Sequence, residues 1–239
     1  MGQGLSLPLT GRAQSQDRDL LKYDALEFLS ENGIPVMPYV LARKRRVAQS
    51  FAEDLGVPAV LKIVSPHIIH KSEIGGVRLN LIGREAVGRA YERLVDDVRR
   101  ANPDADIRGI LVLPLAEPGR EIIIGMLRDP QFGPVMMFGS GGIYVEVFHD
   151  VSFRVAPFDR EVAQDMIRET RAYGILQGVR GDSTKDIPSL ADLLVKISQI
   201  AATYPEIAAI DLNPVRIYEK GFAILDVRIL LAKREPKGD

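Results

Sequence analysis

The chain has 239 residues, 46% hydrophobic and 26% charged; that is enough for one large domain or two smaller ones with their own cores, and too apolar for bulk disorder. Its 31 basic residues stand against 32 acidic ones for a net charge of -1, with no basic run denser than Arg43 to Arg46, so nothing calls for nucleic acid or an anionic membrane. Cysteine is absent, which excludes disulfides, thiolate nucleophiles and cysteine-ligated metal, and with no membrane-length apolar run and no signal-peptide order at the N-terminus the expected setting is the cytoplasm.

Residues 1–19 are polar, rich in Gly, Ser and Gln, and aperiodic, and read as a loosely ordered leader. A first helix is predicted from Asp19 to Glu31, stopped by Asn32-Gly33, and Pro35 and Pro38 keep the next stretch extended. A second helix runs from Arg45 to Leu55 and ends at Gly56. Ala59 to Val64 is an apolar β-favouring run, and Val77, Leu79 and Leu81 alternate with polar neighbours as a second strand. Residues 85–100 place Ala86, Val87, Ala90, Tyr91, Leu94, Val95 and Val98 on one helical face. Strands follow at 107–114, 121–127 and 134–138, the last leading into Gly139-Ser140-Gly141-Gly142, with a short extended piece at 153–156. Helices are predicted at 160–173 and 189–203, then strands at 207–212, 215–219 and 222–227 with a Lys220-Gly221 hairpin turn. No 20 to 50 residue repeat is present, and the blocks of helices and strands imply α+β layers with largely antiparallel sheets.

Four places carry candidate chemistry. Lys62 lies between Leu61 and Ile63 in a strand apolar on both faces; it is either a lysine snorkelling at an edge or a buried cation that meets an anion. The loop after it holds Ser65, His67, His70 and Lys71 before Gly75-Gly76, residue types suited to phosphate oxygens. The glycine spacings of the P-loop and of the dinucleotide fingerprint are absent. His67 and His70 alone do not make a zinc site, since the only further histidine is His149. Gly139 to Gly142 is either a flexible turn or a second loop whose N–H groups approach an anion. Asp211 and Asn213 fall on one face of an extended strand, and the hairpin through Gly221 returns Asp226 and Arg228 beside them; this is either a turn start at Asn213-Pro214 or a set of hard oxygen ligands for Mg²⁺.

Strand lysine, a loop ending in His-Lys-Ser, and Gly-Gly-Val opening the next strand together resemble the ATP-grasp subunit of the NDP-forming acyl-CoA synthetases, the β subunit of acetate–CoA ligase (ADP-forming). The resemblance runs from about Leu20 to Leu231. It implies an ATP-grasp fold of two lobes with a nucleotide between them, the smaller lobe at 38–113 and the larger at 20–37 and 114–239. It implies that Lys62, with Ser65 and Lys71 from the loop, contacts nucleotide phosphates, and that His70 is transiently phosphorylated and passes its phosphoryl group to ADP. Leu113 and Leu115 take the place of the adenine hinge, Glu121 reaches the nucleotide, Gly141 and Gly142 belong to the glycine-rich segment, and Arg228 assists with phosphate. Asp211, Asn213 and Asp226 hold Mg²⁺, and ATP or ADP is the substrate.

The chain contains no recognisable CoA-binding segment, so the resemblance further implies a partner α subunit, as an α2β2 assembly, for the full reaction. A phosphoryl relay between the subunits requires either the His70 loop or the partner's loop to move, with Gly75-Gly76 as the expected hinge of the former. Two other functions stay open on the residues: an ATP-grasp carboxylate ligase acting through an acyl-phosphate with His70 a bystander, and a non-catalytic nucleotide-binding module.

Overall fold

The computed structural model describes residues 19–68, 74–141, 150–178 and 183–232. It divides into two compact units, Met37–Glu117 and a second made of Met1–Val36 with Pro118–Asp239.

The first unit is an antiparallel four-stranded sheet in the order β1-β4-β2-β3, built from β1 (Val40–Ala42), β2 (Ala59–Val64), β3 (Val77–Leu81) and β4 (Gly109–Pro114). Helices α2 (Arg45–Leu55) and α3 (Arg84–Ala101) cover one face. The predicted stripe on α3 is the buried one: Val87, Ala90, Leu94 and Val98 meet Ala48 and Ala52 of α2 and Leu61, Ile63, Ile110 and Val112 of the sheet. Each of the larger side chains contributes about 1.5 to 3 kcal/mol through its burial. Gly56 ends α2 in the left-handed conformation, φ 63°, which its lack of a Cβ permits.

In the second unit the antiparallel sheet runs β10-β8-β5-β6-β7, with β9 also paired to β8. Its strands are β5 (Arg120–Asp129), β6 (Gly133–Ser140), β7 (Val151–Val155), β8 (Ile207–Ile217), β9 (Phe222–Ile224) and β10 (Val227–Leu231). Helix α1 (Lys22–Glu31) packs on β10, and Leu20, preceding it, donates its N–H to the Ile229 carbonyl at 2.9 Å. Helix α6 (Ile187–Thr203) lays Leu190, Leu193, Leu194 and Ile197 against the sheet's inner face, where Ile122, Ile124 and Met126 of β5 are buried. Arg128, on that same side of β5, caps the C-terminal end of α6: it donates to the carbonyls of Ala201 at 2.7 Å and Tyr204 at 3.1 Å, and to Ile207 at 2.9 Å. A guanidinium is suited to carbonyls left over at the negative end of a helix.

Four predicted elements are divided or joined differently in the structure. The helix expected over 160–173 is two, α4 (Arg160–Arg168) and α5 (Ala172–Leu176), because the carboxylate of Asp150 takes the N–H groups of Arg171 and Ala172 at 2.7 and 3.0 Å. The strands expected at 207–212 and 215–219 are one, β8, which continues through Asn213-Pro214. The strand expected at 222–227 is broken into β9 and β10, and Asp226 lies in the break.

At the start of α6, Asp186 accepts from the Ser189 N–H at 3.1 Å and the Ser189 hydroxyl at 2.7 Å, and also from the Gly221 N–H at 2.7 Å, so one carboxylate ties the helix to the β8–β9 hairpin. Partial burial pushes its pKa up, but these three hydrogen bonds outweigh that and hold it below the usual aspartate value. Its stabilisation is therefore present above the unfolded-state pKa and disappears as pH falls through the lower folded-state one. Asp186→Ala should cost about 1 to 2 kcal/mol at neutral pH, with urea unfolding of the two proteins converging as the buffer is taken to strongly acid pH.

Candidate functional site

In the smaller unit, β2 alternates cleanly. Ala59, Leu61 and Ile63 enter the core beneath α2 and α3, and Val60, Lys62 and Val64 take the other face, where Leu111 and Leu113 of β4 stand opposite Lys62 and Val60. Lys62 is half-buried while its chain neighbours Leu61 and Ile63 are fully buried. An ammonium so placed interacts with an anion through less water than a surface lysine does.

The segment that follows is fastened at both ends. Ser65 is buried, and its hydroxyl accepts the His67 N–H at 3.2 Å, which makes it a turn former. His67 in turn accepts the Asp106 N–H on Nδ1 at 3.3 Å. On the far side Gly75 has φ 68°, Ile63 donates its N–H to the Gly76 carbonyl at 2.9 Å, and Arg78 bonds both the Gly75 carbonyl and Asp97 of α3. His70 and Lys71 lie outside the described residues, as does Gly142.

The remaining predicted positions in this unit are more constrained than expected. Leu113 is 3% exposed and in register with Val60, and the N–H of Leu115 donates to the Pro58 carbonyl at 2.7 Å. That donor prolongs the β2–β4 pairing and is taken from a base edge.

In the larger unit, Asp211 faces Arg228 across the β8–β10 ladder, Leu212 faces Val227, and Asn213 donates its N–H to the Asp226 carbonyl at 3.2 Å. Leu212 and Val227 are buried, so Asp211, Asn213, Asp226 and Arg228 share the exposed side of the sheet. Among the described residues no three of His, Cys, Asp and Glu gather as a metal cluster, and the set here is two carboxylates and one amide oxygen. Those donors fit Mg²⁺, which keeps water and phosphate oxygens in most of its positions and asks little of the protein. Partial desolvation raises the Asp211 pKa despite the opposing charge of Arg228. A carboxylate disfavoured in its charged form is one that a cation relieves.

Other charged groups on this face are already engaged. Glu121 accepts from Arg216 Nε at 3.0 Å, its cross-strand partner in the β5–β8 ladder. Arg228 gives Nε and Nη2 to the same oxygen of Asp19, at 2.9 and 2.5 Å, which raises its pKa. Asp226 is ion-paired with Lys22 of α1. Gly141 donates its N–H to the Glu121 carbonyl at 2.9 Å, so its amide is spent on the sheet instead of facing an anion. Ser140 donates to Asp150 at 2.6 Å, closing the base of the glycine-rich segment. Burial pushes the Asp150 pKa up, yet the bonds from Ser140, Arg171 and Ala172 and the charge of Arg171 bring it below the usual value.

Lys22, Arg216, Asp19 and Asp150 escape the sequence reading. Lys22 alone leaves a signal: it falls on the same helical stripe as Ala25, Leu26 and Leu29, all buried, and a lysine on an apolar stripe asks for a partner.

Residues 12–231 match the family described as the ATP-grasp domain. The chain is similar to the "Acetate--CoA ligase [ADP-forming] I subunit beta" of Pyrococcus furiosus, 46% identical over 220 residues, which are 92% of this chain and 95% of that one. It is also 46% identical over 210 residues to the "Acetate--CoA ligase [ADP-forming] I" of Archaeoglobus fulgidus, covering 88% of this chain but only 30% of that longer protein. Among solved structures it resembles the dinucleotide-forming acetyl-coenzyme A synthetase 1 of Ca. Korarchaeum cryptofilum. One form holds coenzyme A, acetyl-coenzyme A and a phosphorylated phosphohistidine segment in a site I orientation, with a TM-score of 0.85, 46% identity, and 93% and 95% of the two chains covered. Another holds coenzyme A and Mg-AMPPCP with that segment pointing towards the nucleotide-binding site, with a TM-score of 0.80, 45% identity, and 90% and 93% covered.

Proposed function

The chain belongs to the ATP-grasp family, and from that premise we propose that it is the nucleotide-binding β subunit of an ADP-forming acyl-CoA synthetase. With an α subunit that binds CoA, in an α2β2 assembly in the cytoplasm, it carries out acyl-CoA plus ADP plus phosphate to acid, CoA and ATP. The observation that carries this reading is the 46% identity to a named β subunit over 95% of that subunit's length. The oxygen set of Asp211, Asn213 and Asp226 supports it from the side of chemistry.

His70 takes the phosphoryl group from a phosphohistidine of the α subunit, whose P–N bond breaks as an imidazole nitrogen of His70 forms its own, and gives it up to ADP. The P–N bond breaks as a terminal β-phosphate oxygen of ADP forms the new P–O bond, and the ring nitrogen keeps its electron pair. Lys62, Ser65 and Lys71 hold phosphate oxygens in place, and Leu113, Leu115 and Glu121 position the nucleoside. Gly141 and Gly142 shape the loop, and Arg228 reaches phosphate when it releases Asp19. Mg²⁺ bound by Asp211, Asn213 and Asp226 offsets the charge of the phosphates.

The relay requires either the His70 loop or the partner's loop to move, and structures of the relative hold a phosphohistidine segment in a site I orientation and pointing towards the nucleotide-binding site. In this chain the stretch that carries His70 is flanked by the Ser65–His67 bond on one side and by the Gly75–Arg78–Asp97 contacts on the other.

The test is reconstitution with the CoA-binding subunit that co-purifies with the chain. Acetyl-CoA, ADP, phosphate and Mg²⁺ should yield ATP from the mixture and none from either protein alone. ATP-dependent ligation by the chain alone, through an acyl-phosphate, would assign it to the carboxylate ligases instead; tight ATP binding with no phosphoryl exchange in the mixture would make it a regulatory module.

A further inference from the structure

Lys22 opens α1 with its side chain 5% exposed, and its ammonium is ion-paired with Oδ1 of Asp226, whose side chain is 55% exposed. The same ammonium donates to the Leu225 carbonyl at 3.2 Å. Oδ1 of Asp226 also accepts the Val227 N–H at 3.1 Å. Two donors thus converge on one oxygen of a carboxylate that otherwise faces solvent. A lysine this buried is held at its counter-charge, because parting the ammonium from Asp226 would lose the pair while the charge stayed buried.

We propose that Lys22 is a positioning residue that sets which cation the site prefers: by occupying Oδ1 it leaves Asp226 to meet a metal through Oδ2 alone, which favours Mg²⁺ over Ca²⁺. The proposal rests on the reading of Asp211, Asn213 and Asp226 as the metal set. Mg²⁺ takes about six ligands at roughly 2.0 to 2.1 Å in an octahedron and is satisfied by single carboxylate oxygens, whereas Ca²⁺ takes about six to eight at roughly 2.3 to 2.6 Å and often uses both oxygens of a carboxylate. A carboxylate with one oxygen under an ammonium has only one to give. The ammonium's charge also weakens the hold on any dication, so the site gives up some affinity for this restriction. On the other side of the set, Arg228 is paired with Asp19, whereas Lys22 is bonded to a proposed ligand itself.

Calorimetric titration of the full chain in the presence of ADP, with Mg²⁺ and Ca²⁺ in turn, reads this directly. Lys22→Met should tighten Ca²⁺ by about tenfold and Mg²⁺ by no more than about threefold. Lys22→Gln keeps a donor for Leu225 but is one atom shorter towards Asp226, and it should shift the ratio the same way by a smaller factor, so the proposal stays open to refutation if the Met variant fails to fold. Asp226→Asn is the control for the underlying reading and should weaken both cations. A Ca²⁺ to Mg²⁺ ratio unchanged within about twofold in the lysine variants, with Asp226→Asn still weakening both, overturns the role of Lys22 and leaves the metal set standing. Unchanged affinities in Asp226→Asn overturn the metal set itself.

Discussion

His70→Asn is expected to abolish ATP synthesis by the reconstituted enzyme, a fall of at least about 10⁴-fold, while nucleotide binding stays within about threefold. Asparagine approximates the size and polarity of histidine near the backbone but has no nitrogen lone pair able to take a phosphoryl group, so the loss isolates the nucleophile. Imidazole suits the task because its reference pKa of about 6.5 leaves it mostly neutral, and so nucleophilic, at neutral pH. Incubating the wild-type chain with γ-labelled ATP and Mg²⁺ should leave label on the protein that is lost in acid, survives base, and returns to the nucleotide pool on addition of ADP. The variant should carry none. Label persisting on His70→Asn, or overall activity within tenfold of wild type, would make His70 a bystander and revive the acyl-phosphate ligase reading.

The strand frame around these residues was legible because it rests on apolar runs. Ala59–Val64 and Val77–Leu81 have the predicted limits, and so does the helix Arg45–Leu55 between its neighbours' turn signals. The candidate residues stood out where side chains of unusual type interrupt such a run, as Lys62 does in β2 and Asp211 and Asn213 do in β8. What was not legible depends on long-range partners. Nothing near Thr170 says that Asp150 will take the next two amides and break a helix, and Asn213-Pro214 reads locally as a turn although β9 and β10 pair on either side of it and carry the strand through. The same limit applies to charge: Glu121 and Arg228 are recognisable as candidate ligands, but Arg216 and Asp19, which engage them from about a hundred and two hundred residues away, are visible only when the sheet is assembled. A residue's chemistry is local in sequence, and its availability is not.

Gly141 shows how the two kinds of information combine, and Gly141→Ala should be the most destabilising single-methyl change in the described glycine-rich segment. From the sequence, glycine here is either part of a flexible turn or a loop residue whose N–H approaches an anion. The close approach is instead to the neighbouring strand: a Cβ at position 141 would stand 2.6 Å from the Glu121 carbonyl carbon and 2.8 Å from its oxygen and from the Ile122 nitrogen. These are backbone atoms in the middle of a sheet, so no side-chain rotation can make room. The Gly141 N–H bond to the Glu121 carbonyl, 2.9 Å long, would have to lengthen or break as the chains part. Overpacking of this kind costs roughly 1 to 3 kcal/mol, and the lost hydrogen bond adds about 1 kcal/mol. The damage should also reach the site, because Glu121 is held by Arg216 at the end of the same ladder. Thermal unfolding should therefore show a lower Tm, and ADP titration a weaker affinity, for Gly141→Ala. A variant at Gly174, where an added Cβ meets nothing within 4 Å, should change neither. An unchanged Tm for Gly141→Ala would mean that β5 and the glycine-rich segment are free to separate, and that the glycine serves the ligand and not the sheet.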